Sequence, residues 1–223
     1  TLASESVEVI DVTATVEAPA EAVAGATVPV AWTGPDYRND YIEVGRPGED
    51  GYINYRYTRD GDPADLLMPT APGTYEIRYV VSQDRSVLAT TEISLTPIKA
   101  EISAPDTARV GEPVQVTWDG PDYRNDYISV GAPEGGYVNY RYTRDGNPAE
   151  VAMPPEPGSY VLRYVISQGD VVAASQPIEV ADIAVTLVAP ETGEVGGTLA
   201  VGHDGPDFRN DYVGIARPGE EGY

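Results

Sequence analysis

Residues 27–32 run Thr-Val-Pro-Val-Ala-Trp, and Val28, Val30 and Trp32 fall on one side of an extended chain. Strict alternation of this kind marks a half-buried strand. The pattern returns with Val114, Val116 and Trp118, and again with Leu199, Val201 and His203. In 51–58, Ile53, Tyr55 and Tyr57 alternate with Asn54, Arg56 and Thr58. In 75–80, Tyr75, Ile77 and Tyr79 alternate with Glu76 and Arg78. Gly-Pro, Pro-Gly and Asp-Gly pairs separate these runs, and such pairs punctuate turns. No stretch carries a helical period. The pattern predicts strands A to G at 14–18, 26–33, 40–45, 51–58, 64–68, 74–82 and 86–96.

These strands belong to a tandem repeat. GPDYRNDY stands at 34–41 and 120–127, and GPDFRNDY at 205–212, at offsets of 86 and 85. The same offsets carry Gly25 onto Gly111 and Gly196, and Trp32 onto Trp118 and His203. GYINYRYTRDGDPADLLMP (51–69) matches GYVNYRYTRDGNPAEVAMP (136–154), and PGTYEIRYVVSQ (72–83) matches PGSYVLRYVISQ (157–168). The change of period falls where RPGEDGY (46–52) becomes APEGGY (132–137), a Gly/Pro loop that tolerates a deletion. Complete repeats are expected at 12–97 and 98–182. Residues 2–11 align with 88–97, so 1–11 is expected to be the last strand of a preceding repeat, and 183–223 the first half of a further one. A segment of a longer polypeptide is the expectation.

Short strands, regular turns and about 85 residues per repeat predict an all-β fold of tandem immunoglobulin-like antiparallel β-sandwiches. PGTYEIRY and PGSYVLRY resemble the tyrosine corner of such sandwiches, with Tyr75 and Tyr160 at the corner. No cysteine is present, so the usual disulfide between strands B and F is absent, and the tryptophan lies on strand B rather than C.

Composition narrows the chemistry. The formal net charge of −22 argues against a nucleic-acid partner, which needs a basic footprint. Each complete repeat carries 13 acidic and 6 basic residues, so the acidity is a property of the module. With no Cys and a single His, thiolate metal sites are excluded, and a Ser–His–Asp triad cannot recur. No G-x-S-x-G, H-E-x-x-H or phosphate-loop motif occurs, and no enzyme is expected. No apolar run is long enough to insert in a membrane, and no charged-then-apolar leader stands at residue 1.

V-x-V-x-W-x-G-P (28–35), D-Y-I (40–42), Y-x-N-Y-x-Y-T-R-D-G-x-P (52–63) and P-G-x-Y-x-x-R-Y-V (72–80) resemble the tandem repeats of bacterial exported proteins that carry a von Willebrand factor A domain. The resemblance spans both complete repeats and the partial one. The adhesion motif of the A domain itself, D-x-S-x-S, is absent, so no ligand-binding role transfers to any residue here. The resemblance implies stalks or spacers at the cell exterior: extracellular, surface-bound or periplasmic.

Two acidic loops are candidate calcium sites. The B–C loop offers Asp36 and Asp40, recurring as Asp122 and Asp126 and as Asp207 and Asp211. The D–E turn offers Asp60, Asp62 and Asp65, recurring as Asp145, Asn147 and Glu150. Calcium takes six to eight oxygens from carboxylates, amides and carbonyls. In a sandwich of this order both loops lie at the pole where strand A begins, so the ion would stiffen a junction between repeats. The bland reading of the same residues is turn chemistry, because Asp and Gly build tight turns for local reasons. Trp32 and Trp118 share a face with valines and are expected in the core.

The leading functional expectation is therefore a non-catalytic structural stalk, whose partners are neighbouring repeats of the same chain. The alternatives are a fibre of many copies completed by strand exchange, and an adhesive module that binds a glycan or protein.

Overall fold

The computed structural model describes residues 4–208 and 210–219, and within them the chain forms two compact units. The first holds the residues up to Ala100 together with Gly120–Arg124 and Ile166–Val171. The second holds Glu101–Asp119, Asn125–Val165 and the residues from Val172 onward.

The first repeat is a sandwich of eight strands: β1 (Thr15–Glu17), β2 (Glu21–Val23), β3 (Thr27–Thr33), β4 (Tyr41–Gly45), β5 (Asn54–Tyr57), β6 (Ala64–Leu67), β7 (Gly73–Val80) and β8 (Val87–Thr96). One sheet has the order β1-β3-β6 and the other β2-β8-β7-β4-β5. The fourth predicted strand thus pairs with the third rather than with the fifth. Predicted strand A is β1, and β2 follows it as a strand the alternation did not predict. β1 pairs antiparallel with β3, and β2 runs parallel to β8. Between them lies Ala18-Pro19; proline has no amide to donate to a ladder, so pairing with β3 stops there and the chain crosses to the opposite sheet.

Inward positions of both sheets build the core from Val28, Val30, Ile42, Val44, Leu66, Met68, Tyr75, Ile77, Tyr79, Ile93 and Leu95. Trp32 closes one end, half-buried, with its ring 5.8 Å from that of Tyr79. The Tyr75 hydroxyl donates to the Ala71 carbonyl at 3.0 Å, which is the predicted corner. The two sheets are also stitched along one side. Asn54 on β5 donates to the Leu67 carbonyl and Arg56 to the Asp65 carbonyl, both at 2.9 Å on β6. These side chains occupy acceptors that an open sheet edge would leave bare.

The second repeat uses the same plan with β9 (Glu101–Ser103), β10 (Thr107–Arg109), β11 (Pro113–Asp119), β12 (Tyr127–Gly131), β13 (Tyr137–Tyr142), β14 (Ala149–Ala152), β15 (Gly158–Ile166) and β16 (Val171–Ala181). Its sheets have the orders β14-β11-β9 and β10-β16-β15-β12-β13, with β10 parallel to β16. Tyr160 repeats the corner by donating to the Glu156 carbonyl at 3.0 Å. Beyond Asp182, β17 (Thr186–Val188) pairs antiparallel with β18 (Gly202–Asp204), and His203 stands opposite Leu187. Residues 4–13 are exposed and carry no strand; residues 1–3 of the expected leading strand lie outside the described residues.

Candidate functional site

The B–C loop is organised around one buried carboxylate. Asp40 is fully buried. Its Oδ2 accepts from the Tyr37 amide and from the Tyr79 hydroxyl, each at 3.0 Å, and its Oδ1 accepts from the Ser82 amide at 3.0 Å. The Tyr79 hydroxyl in turn accepts from the Asp36 amide at 2.9 Å. Desolvation, reinforced by the Asp40 carboxylate, pushes the Tyr79 phenol up to about 12, so it remains a proton donor at neutral pH. Gly34 is required here: a Cβ on it would stand 2.6 Å from the Tyr79 ring. Asp36 and Asn39 take positive φ values of 51° and 69°, which Asp and Asn tolerate better than most residues. The loop recurs. Tyr164 donates to Asp126, and Asp211 Oδ2 accepts from the Phe208 amide at 3.0 Å.

The D–E turn is held just as locally. A 3-10 turn covers Thr58–Asp60, and Thr58 donates to the Asp40 carbonyl through both its amide and its hydroxyl. Asp62 Oδ1 accepts from the Trp32 amide at 3.2 Å, and the Trp32 indole donates to the Gly61 carbonyl at 3.0 Å. In the second repeat Asn147 both accepts from and donates to the Trp118 backbone. Glu150 accepts from Gln115 at 2.8 Å, and Arg144 lies 4.0 Å from Asp145. Asp65 contributes its main-chain carbonyl to Arg56.

These placements decide how the candidate ligands fit calcium. Among the described residues no group of three or more Asp, Glu or His side chains could hold a metal ion. Asp40 and Asp62 accept protein N–H or O–H donors, so these two carboxylates staple the loop and the turn.

Two further features stand out on the five-stranded sheet, and the exposed tyrosines of the second were visible in the sequence of the fourth predicted strand. The first is an ion pair on the outer side of the five-stranded sheet. Arg78 and Glu43 are buried and 3.0 Å apart. Arg78 also donates to Glu76, at 2.6 Å, and to the Arg46 and Gly51 carbonyls of the loop above it. Burial works against the guanidinium charge, but the bonds from Glu76 and Glu43 outweigh it and raise the Arg78 pKa. The second repeat has Ser129 and Val161 where the first has Glu43 and Glu76, and Arg163 reaches the Ala132 and Pro133 carbonyls instead. That difference between matched repeats was the available signal.

The second feature is a strip of tyrosines. Tyr41, Tyr52, Tyr55 and Tyr57 stack edge to face, with centroids 4.8–6.1 Å apart. The Arg59 guanidinium lies 4.0 Å from the Tyr57 ring centre. Tyr127, Tyr137, Tyr140, Tyr142 and Arg144 repeat the strip. In the first repeat these rings, with Asn39, Ser82 and Arg85, line a groove of about 350 Å³.

Among the described residues no helix is long and apolar enough to cross a membrane. No protein-family model matches the chain, and no curated protein matches it as a relative. Among solved structures, domains 3 and 4 of rat CD4 align with 72% of this chain and 97% of their own, at 14% identity and a TM-score of 0.26.

Proposed function

We propose that the chain is made of non-catalytic spacer modules in a larger bacterial surface, periplasmic or secreted protein. One observation carries this reading. Asp40 and its counterpart Asp126, the buried acids of the recurring loop, are used by each repeat to hold its own structure. A residue set that recurs with the fold and is consumed by the fold is scaffold. In a tandem array of such modules, stability is a sum of module terms and nearest-neighbour terms. The likeness to repeats of exported von Willebrand factor A proteins supports the same assignment and the exterior location.

Pulling a single molecule by its ends tests the proposal. Two rupture events are expected, each releasing on the order of 25–30 nm, the length of about 85 extended residues. A featureless extension overturns it.

The tyrosine strip favours a second reading, an adhesive module. Exposed tyrosines bind with large apolar faces and a polar tip. A glycan array probed with the intact chain and with Tyr55→Ala separates the readings: binding lost in the variant supports adhesion, and a blank array supports the spacer.

A further inference from the structure

Each compact unit contains a matched pair of an aromatic ring and a glycine turn. In the first unit, Tyr123 lies against Gly25, where a Cβ on the glycine would stand 3.0 Å from the ring. The Tyr123 hydroxyl donates to the Ala24 carbonyl at 3.1 Å. Beside it, the Gln168 amide donates to the Met68 carbonyl at 3.1 Å, and Gly169 lies against Thr70. In the second unit, Phe208 lies against Gly111, with ring carbons 3.5 Å from the position of a Cβ.

The two pairs are equivalent in sequence. Tyr123 and Phe208 are the aromatic position of the GPD-Tyr/Phe-RND motif, 85 residues apart. Gly25 and Gly111 are matched glycines, 86 residues apart, with φ values of 79° and 70°. Their amides bond the Pro69 and Pro154 carbonyls, which are matched as well. A glycine with this backbone leaves a flat, bare turn that a ring can lie on. Tyr37 is the same aromatic position in the first repeat; it meets no matched glycine turn among the described residues, and it is 40% exposed, whereas Tyr123 is half-buried.

We infer that the aromatic residue of GPD-Tyr/Phe-RND is a plug for the glycine turn of the preceding repeat, and that this contact couples the folding of adjacent modules. The partner that fits the surface is a repeat of the same kind in the same chain. The inference rests on the modular reading above and adds the device that joins the modules. The ring supplies the contact, since Phe208 lacks the hydroxyl, and the hydroxyl of Tyr123 adds a latch.

The test reads the first repeat while changing a residue of the second. The chain has two tryptophans, Trp32 and Trp118, so 5-fluorotryptophan gives one fluorine resonance for each complete repeat. Tyr123→Ala is expected to lower the midpoint temperature of the Trp32 transition by about 4–8 °C, a shift that contact losses commonly produce in a domain of this size. Tyr123→Phe is expected to retain most of that midpoint. Tyr37→Ala lies inside the first repeat and has no glycine turn to lose, so it is expected to move the Trp32 midpoint less than Tyr123→Ala does. An unchanged Trp32 midpoint in Tyr123→Ala overturns the inference, as does a larger shift from Tyr37→Ala. Two separate transitions with no effect of Tyr123→Ala would remove the plug and leave the spacer reading intact. The spacer reading fails separately, in the pulling experiment, if the extension is featureless.

Discussion

The Tyr79 hydroxyl donates to Asp40 Oδ2 at 3.0 Å across 39 residues of chain, and that bond fixes the B–C loop to strand β7. Asp40 is the acceptor for the Tyr37 and Ser82 amides as well. Asp40→Ala strands all of these donors in a buried site. A lost acceptor costs roughly 1–3 kcal/mol per unsatisfied buried group, so the first repeat should lose about 3 kcal/mol or more. Asp40→Asn keeps one acceptor oxygen and should cost about half as much. Urea unfolding of the two variants checks the order.

Alkali should find the same bond. The folded state raises the Tyr79 pKa from the ordinary 10 to about 12, so it favours the neutral phenol. The stabilisation this brings is complete below pH 10 and drains away as the pH climbs through 12. Tyr79→Phe has no proton to lose. The melting-temperature gap between the unmodified chain and Tyr79→Phe should therefore narrow from pH 9 to pH 11. A gap that stays constant would show that the phenol is not held neutral by the fold.

A chelator should do nothing. The acids of the B–C and D–E loops do not gather into a cation site among the described residues. Thermal melts in EDTA and in millimolar calcium are expected to coincide. A rise of several degrees with calcium would show that these loops bind the ion.

The ion pair under the C–D loop should respond asymmetrically. Arg78→Met leaves Glu43 buried without a partner, a loss of roughly 3–5 kcal/mol by analogy with other broken buried pairs. Glu43→Ser copies the second repeat, where Ser129 stands opposite Arg163. Arg78 keeps Glu76 and the Arg46 and Gly51 carbonyls, so this change should cost only about 1 kcal/mol. Denaturant midpoints of the two variants decide the matter.

Much of the fold is legible in the alternation of Val28, Val30 and Trp32 and of Tyr75, Ile77 and Tyr79, because a half-buried strand imposes a period of two. The tyrosine corner is equally local, since Tyr75 reaches a carbonyl four residues back. The crossing of the first strand was not legible, because Pro19 says where pairing ends but not which sheet receives the chain. The role of the acids was not legible for a related reason. Asp is a loop staple and a calcium ligand with the same side chain, and the choice depends on donors such as Tyr79 and Ser82, far away in sequence. Glu43 and Arg78 meet across 35 residues, and Tyr123 and Ala24 across 99, so only comparison of matched repeats could point to either pair.

The central claim is that each complete repeat folds around its own core. Urea unfolding followed through the fluorine resonances of Trp32 and Trp118 tests it most directly when Asp40→Ala weakens the first repeat alone. The Trp32 curve is expected to move to markedly lower urea, while the Trp118 curve moves only by the smaller amount that a lost neighbour contact allows. Equal movement of both curves would mean that the two repeats are one cooperative fold, and would contradict the account.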